Sequence, residues 1–124
     1  MMDDTNEIFR IKVRFETLIY PCDGTWKGRC RVESVDLSSS GMSFYCAQQL
    51  SQGEQIEIVI PMMQYPLVVR AQVLNLCQER ERACYTVKFI ELCREEEKLL
   101  SEAVFAIQLR QRRRNKIGGK GVRS

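Results

Sequence analysis

Short runs in which apolar and polar residues alternate dominate this sequence. In EQIEIVI (54–60), Ile56, Ile58 and Ile60 recur at every second position. Because successive side chains of a β-strand point to opposite faces, this period predicts a strand with one buried face. Glycine, proline or charged turns separate it from similar runs elsewhere in the chain. The further runs are RIKVRFETLIY (10–20), residues 29–36, residues 41–46, LVVRAQVLNL (67–76) and ACYTVKFIEL (83–92).

The number and spacing of these runs indicate the fold class. Six short strands with turns at roughly regular intervals predict an antiparallel barrel or sandwich rather than a parallel sheet. Closing a small antiparallel sheet into a barrel removes its edges. With 124 residues, the chain has the length of one domain with its own core. We therefore predict a mainly β protein built on a six-stranded antiparallel β-barrel.

The pattern changes in REEEKLLSEAVFAIQLRQRRR (94–114), which lacks glycine and proline. Its acidic start and basic end suit the helix dipole, so it predicts a C-terminal α-helix. One face of this helix is apolar and is expected to cover the open end of the barrel. That face consists of Leu99, Leu100, Ala103, Val104 and Ile107. Phe105 and Leu109 lie on the opposite face and indicate a surface for a protein partner.

The two ends of the chain differ from its middle. We predict a flexible arm over residues 1–9, the barrel and helix over residues 10–114, and a disordered basic tail over residues 115–124. Seven of the 19 bases lie after residue 109, leaving 12 bases against 16 acids, a net charge of −4, in the rest. A basic segment on an acidic body suits an anionic partner or a solvated end. No run has the length of a membrane span or the pattern of a signal peptide, so we expect a cytoplasmic location.

Six cysteines and no histidine constrain the chemistry. No two cysteines have the CxxC spacing of a zinc site, so we expect no metal and no cofactor. In a reducing compartment the cysteines are expected to act mainly as small apolar packing residues. The absence of histidine removes the commonest general base and every Ser-His or Cys-His nucleophile pair. We therefore predict a protein that is not an enzyme.

The turn between the second and third predicted runs carries the most specific motif. VDLSSSG contains Asp36, Ser38 and Gly41 in the pattern D-x-S-x-x-G, and FRIKVRF precedes it at the start of the first run. Together with the strand order and the terminal helix, these segments resemble the PilZ domain, a family of bacterial receptors for cyclic di-GMP. The resemblance covers residues 6–114. The helix ending FAIQLRQRRRNK is similar to the terminal helix of cyclic di-GMP-dependent flagellar-brake proteins.

The resemblance implies a ligand site made of an R-x-x-x-R arm and the D-x-S-x-x-G turn. Arg10 and Arg14 have the spacing of the first motif. In a second register, FRIKVRF resembles the family's common start of the first strand, in which the second arginine of the motif directly precedes the alternating apolar residues. Arg10 is then that second arginine, and Asn6 occupies the position of the first. Both registers contain Arg10.

The residues of the turn suit a guanine ligand. A carboxylate such as that of Asp36 can accept hydrogen bonds from the N1 and N2 edge of guanine. The resemblance implies that Ser38 makes a further hydrogen bond to the ligand. Arginine can hold a phosphate or the O6 and N7 atoms of guanine with two bonds, and its flat face can stack on a purine. Gly41 is expected to adopt a positive φ and to let the backbone approach the ligand. The arm is expected to fold over the ligand.

Three functions are compatible with these residues. The first is a cyclic di-GMP receptor that relays its signal to a protein partner, such as the flagellar motor or the polysaccharide synthesis machinery, in motility or exopolysaccharide control. The second is an adaptor of the same fold that binds no nucleotide and acts through Phe105 and Leu109, which the Asn6 register favours. The third is a small barrel that binds nucleic acid through its basic tail. We favour the first of the three.

Overall fold

The chain folds into seven β-strands followed by one long helix. The computed structural model describes residues 10–22, 26–61, 66–79 and 81–123. The predicted arm, residues 1–9, lies outside the described residues. The elements are β1 (Ile11–Lys12), β2 (Glu16–Pro21), β3 (Cys30–Leu37), β4 (Gly41–Cys46), β5 (Gln55–Ile60), β6 (Leu67–Glu79), β7 (Arg82–Ile90) and α1 (Arg94–Arg123).

Six of the strands close into an antiparallel barrel. The hydrogen-bonded order is β1-β3-β2-β5-β6-β7-β4, and a further β3–β4 pairing joins the two ends of the six-stranded ladder β3 to β4. All these pairs are antiparallel. Strand β1 is additional and pairs with β3 alone, with Lys12 opposite Asp36. The structure therefore confirms the predicted six-stranded barrel and adds one short strand.

The sequence predicts one continuous strand for the first alternating run, but the structure does not contain it. The run divides into β1 and β2, with residues 13–15 between them. The Ser34 hydroxyl occupies this break, because it accepts a hydrogen bond from the Phe15 amide at 2.8 Å and donates one to the Val13 carbonyl. The register of β3 also shifts between Ser34 and Asp36, where β3 pairs with β4. A bulge in β3 is thus matched by a break in the strand beside it.

The core lies inside the barrel and follows the predicted period of two. Ile56, Ile58 and Ile60 are at most 1% exposed, as expected from their alternation. The buried faces of β4 and β7 supply the larger side chains, and the Phe44 and Tyr85 rings lie 6.4 Å apart. The Tyr85 hydroxyl satisfies a buried main-chain donor by accepting the Leu50 amide at 3.0 Å. Apolar burial and a paired hydroxyl therefore hold the inner faces of neighbouring strands together.

The helix packs against this core through its apolar face. Leu100 and Val104 are buried in the same cluster as the strand residues, and Ile107 is partly buried against it. Three glutamates occupy the first turn, where they oppose the positive end of the helix dipole. The side chain of Phe105 is 60% exposed on the opposite face, as predicted.

The helical backbone continues to Arg123 and so includes most of the segment for which the sequence predicts a disordered tail. Residues 108–116 are mostly glutamine, arginine and lysine, which extend a helix readily once its first half is packed. The domain boundaries at residues 9 and 114 remain predictions. In the part of the chain that the structure describes, no helix has the length and hydropathy of a membrane span.

Candidate ligand-binding site

The D-x-S-x-x-G motif forms the turn between β3 and β4. The Ser38 hydroxyl accepts hydrogen bonds from the amides of Ser40 and Gly41, both at 3.1 Å. The Ser38 amide donates to the Gly41 carbonyl at 2.9 Å, which closes the turn. Ser38 is only 2% exposed. In this structure Ser38 shapes the turn with its hydroxyl, and the ligand contact predicted for it stays a prediction.

Gly41 is required for close strand packing and not for a left-handed backbone. A positive φ occurs at Gly28 and Gly53 but not at Gly41. A Cβ atom at Gly41 would collide with the Val87 carbonyl oxygen on β7. The expected positive φ is therefore wrong at this residue. The glycine is needed because β4 and β7 approach closely where the turn enters the barrel.

Arg10 and Asp36 form the centre of the candidate site. Arg10 Nη1 donates to Asp36 Oδ1 at 2.7 Å, across 26 residues of sequence. Strand β1 positions this pair, because its residue Lys12 lies opposite Asp36 in the register with β3. The two side chains are 37% and 18% exposed, so both remain accessible from solvent. The pair places a guanidinium and a carboxylate together on the outside of the barrel.

Arg14, the second predicted arm residue, does not reach Asp36. Its Nε atom lies 3.1 Å from Glu33 Oε2, and its side chain is 82% exposed. Arg10, which both registers contain, therefore contacts the motif carboxylate, and the choice between the registers stays a prediction. Asn6 itself lies outside the described residues.

The structure adds a second cluster on the same outer face, which the sequence analysis missed. Glu33 accepts a 2.9 Å hydrogen bond from Arg82 in addition to its contact with Arg14. The hydrogen bond from Arg82 lowers the pKa of Glu33, and the charge of Arg14 lowers it further. The Arg82 guanidinium also lies 3.9 Å from the centre of the Tyr45 ring. Alternation in the sequence places Glu33 and Tyr45 at outward positions of β3 and β4. The sequence does not show that Arg82 joins them, because this contact depends on the pairing of β4 with β7.

Two surface grooves meet at Tyr45. The smaller has a volume of about 290 Å³ and is bordered by Lys12, Val13, Arg14 and Val35 in addition to Tyr45. The larger has a volume of about 520 Å³ and contains Arg82 and Glu33. The smaller groove therefore combines the cations Lys12 and Arg14 with Tyr45, next to Asp36 in the strand registers, a composition suited to a ligand with anionic groups and flat bases.

The described residues contain no cluster of three or more histidine, cysteine, aspartate or glutamate side chains able to hold a metal ion. The groups present at this face are charged side chains and the Tyr45 ring. Arginine offers forked donors, and an aspartate accepts hydrogen bonds but does not donate them.

Comparison with known proteins identifies the fold. The structure of the Bacillus subtilis inhibitor of motility MotI/DgrA has a TM-score of 0.67 and 17% identity, covering 83% of this chain and 51% of that one. The PilZ domain of YcgR from Escherichia coli, solved with c-di-GMP, has a TM-score of 0.69 and 16% identity, with coverage of 86% and 94%. The PilZ domain of CeSA from a cellulose-synthesizing bacterium has a TM-score of 0.63 and 16% identity, with coverage of 80% and 97%. At these identities the likeness concerns the fold alone.

The sequence comparisons give one match, to a family model. No curated protein matches the chain. The chain spans about half the length of MotI/DgrA, so only that part of the longer protein is comparable. The family model of the PilZ domain matches residues 5–106, which include the end of the predicted arm, the motif turn, all seven strands and the start of the helix. The chain therefore belongs to the PilZ domain family.

Proposed function

We propose that this chain is a receptor for cyclic di-GMP. The observation that carries the proposal is the ion pair between Arg10 and Asp36, which lies on the outside of a PilZ barrel beside the motif turn. PilZ domains solved with c-di-GMP, such as that of YcgR, have the same fold. A PilZ domain is a receptor rather than an enzyme, and we assign no catalytic residue to this chain.

In the proposed complex, Arg10 leaves Asp36 and binds the ligand. Its guanidinium then holds a phosphate or the O6 and N7 atoms of one guanine, and its flat face can stack on that base. Asp36, now released from its partner, accepts hydrogen bonds from N1 and N2 of a guanine. Adenine does not present these two donors, so Asp36 supplies the choice of base. Ser38 and Gly41 keep the turn in place, and Arg14 adds positive charge beside the ligand.

Isothermal titration calorimetry with cyclic di-GMP tests this proposal. We expect the wild-type protein to bind with a dissociation constant in the micromolar range or below. Arg10→Ala and Asp36→Ala each remove a charge-assisted contact of about 1.5–3 kcal/mol, which corresponds to a loss of affinity of about ten- to a hundredfold. Arg14→Ala should weaken binding less, because its side chain is mostly in solvent.

Arg70→Ala is the matched control for these variants. Arg70 is also a partly exposed arginine in an ion pair, with Glu91 at 3.4 Å, but it lies on β6, which does not pair with β3 or β4. We expect Arg70→Ala to bind cyclic di-GMP with the same affinity as the wild type. A folded wild-type protein that shows no heat of binding with cyclic di-GMP would disprove the receptor function.

The signal is proposed to pass to a protein partner through the helix. Phe105 is 60% exposed and Leu109 is 37% exposed, on the face that does not contact the core. Motility control or exopolysaccharide control is the proposed setting, in keeping with the motility inhibitor among the proteins of the same fold. A cytoplasmic location belongs to this proposal as well.

The exposure of Phe105 also supports a second candidate, an adaptor that acts without nucleotide. A pull-down with wild-type protein and with Phe105→Glu, each in the presence and absence of cyclic di-GMP, separates the two. Binding of a partner that requires Phe105 and changes with the nucleotide supports the receptor. Binding that requires Phe105 and ignores the nucleotide supports the adaptor.

A further inference from the structure

Tyr45 lies on the same outer face as Asp36. In the register between β3 and β4, Asp36 is opposite Ser43, and Tyr45 is the next outward residue of β4, opposite Glu33. Two residues of an extended strand span about 7 Å. The small side chain of Ser43 lies between the two positions, and its hydroxyl is 3.1 Å from that of Thr86 on β7. No bulky side chain therefore separates Asp36 from Tyr45 along β4.

The smaller groove is lined by residues next to Asp36 as well as by Tyr45. Its wall includes Lys12, which pairs with Asp36 in the β1–β3 register, and Val35, which precedes Asp36 in the chain. Tyr45 lines the same groove. The groove is thus lined both by neighbours of Asp36 and by Tyr45, and by the cations Lys12 and Arg14.

Tyr45 is held in place from the other groove. Arg82 lies over its ring at 3.9 Å, and the 2.9 Å contact with Glu33 keeps the Arg82 guanidinium in position. Arg82 lines only the larger groove, whereas Tyr45 lines both. A ring that is supported from one side is already ordered, which reduces the entropy that a stacking ligand must remove.

We infer that Tyr45 is a stacking platform for the second guanine of cyclic di-GMP, while Asp36 holds the first. This inference rests on the proposed function. The ligand carries two guanines and two phosphates, and Asp36 with Arg10 accounts for one base. A purine stacks favourably on a tyrosine ring, and the cations Lys12 and Arg14 lie where the phosphates between the two bases would pass. Arg82 acts as a positioning residue for the ring.

Calorimetry on two substitutions of Tyr45 tests the inference. We expect Tyr45→Ala to weaken binding of cyclic di-GMP about tenfold, since stacking on an aromatic ring contributes about 1–3 kcal/mol per base. Tyr45→Phe keeps the ring and should bind within about twofold of the wild type, by the same reasoning. Thermal unfolding of both variants checks that the barrel is intact, and Tyr45→Leu replaces Tyr45→Ala if the alanine variant is unfolded.

A second measurement compares the bound ligand in the wild type and in Tyr45→Leu. In proton NMR, the H8 resonance of a guanine stacked on Tyr45 should shift upfield by the ring current of the tyrosine, and this shift should vanish in Tyr45→Leu. If the wild type binds but neither the affinity nor the H8 shift depends on Tyr45, the inference is wrong and the receptor function stands. If the wild type does not bind cyclic di-GMP at all, both the proposed receptor function and the inference about Tyr45 are wrong.

Discussion

Gln111 Nε2 donates a 2.7 Å hydrogen bond to the main-chain carbonyl of Lys12, which lies 99 residues earlier in the sequence. Lys12 belongs to the two-residue strand β1, which pairs only with β3 beside Asp36. The C-terminal helix is thereby attached to the strand that positions Arg10. A movement of Arg10 towards a ligand would act on β1, and β1 would act on the helix through this bond.

Gln111→Ala should loosen β1 without damaging the core. We expect the free energy of unfolding to fall by about 0.5–1.5 kcal/mol, the usual contribution of one hydrogen bond. Amide hydrogen exchange of Val13, which donates to the Val35 carbonyl at 3.3 Å, should become faster. Arg112→Ala, a neighbouring exposed position, is the control. Equal exchange at Val13 in both variants would contradict the attachment of the helix to β1.

Gly41→Ala should separate β4 from β7. The added methyl group would meet the main chain at Val87 and Lys88, which cannot rotate away as a side chain can. Such overpacking costs about 1–3 kcal/mol, measured as a lower midpoint of urea unfolding. Gly28→Ala separates backbone strain from overpacking, because its φ of 89° strains an alanine and should also lower the midpoint, although nothing lies within 4 Å of the added Cβ. Faster amide exchange at Phe89, which donates to the Ser40 carbonyl, is expected only in Gly41→Ala.

The Glu33 cluster should lose its contribution to stability in acid. The pKa of Glu33 lies below its ordinary value of 4.5, chiefly because of the hydrogen bond from Arg82. A carboxylate with a lowered pKa stabilises the fold above its ordinary value and loses this contribution as the pH falls through its folded value. The stability difference between wild type and Glu33→Gln should therefore be largest near neutral pH and shrink below about pH 4.5. Urea unfolding at pH 7 and at pH 3.5 measures it, and a constant difference would argue against the ion pairs.

Cys46 should resist alkylation while other cysteines react. Burial raises the pKa of its thiol to about 12, and its sulfur lies 3.7 Å from that of Cys30. Since the thiolate is the nucleophile, iodoacetamide at about pH 8 should modify Cys22, Cys77 and Cys93, which are exposed, long before Cys46. Mass spectrometry of peptides after timed quenching provides the rates. Modification of Cys46 as fast as Cys93 would show that β4 opens readily.

The cysteines also show how local patterns relate to burial. The sequence predicts them mainly as packing residues, and this holds for Cys46 and Cys84, which are buried. Three others face solvent at strand ends or beside the helix, where alternation no longer determines which side is covered.

The sequence by itself determined the barrel strands, the turn at residues 38–40, the C-terminal helix and the exposed position of Phe105. These features depend on periods of two or 3.6 residues and on turn chemistry, which are local properties that any reader of the chain can count. The family followed as well, because its motifs are short and contiguous. Predicting these features required no knowledge of which strands are neighbours.

Only the tertiary structure decided which side chains meet. The break between β1 and β2, the pairing of Arg10 rather than Arg14 with Asp36, and the contact of Arg82 with Tyr45 all depend on registers between distant strands. A bulge or a slip of one residue transfers a side chain to the other face of a sheet, and no local pattern records it. For the same reason the requirement for Gly41 was visible, but its cause, the closeness of β7, was not.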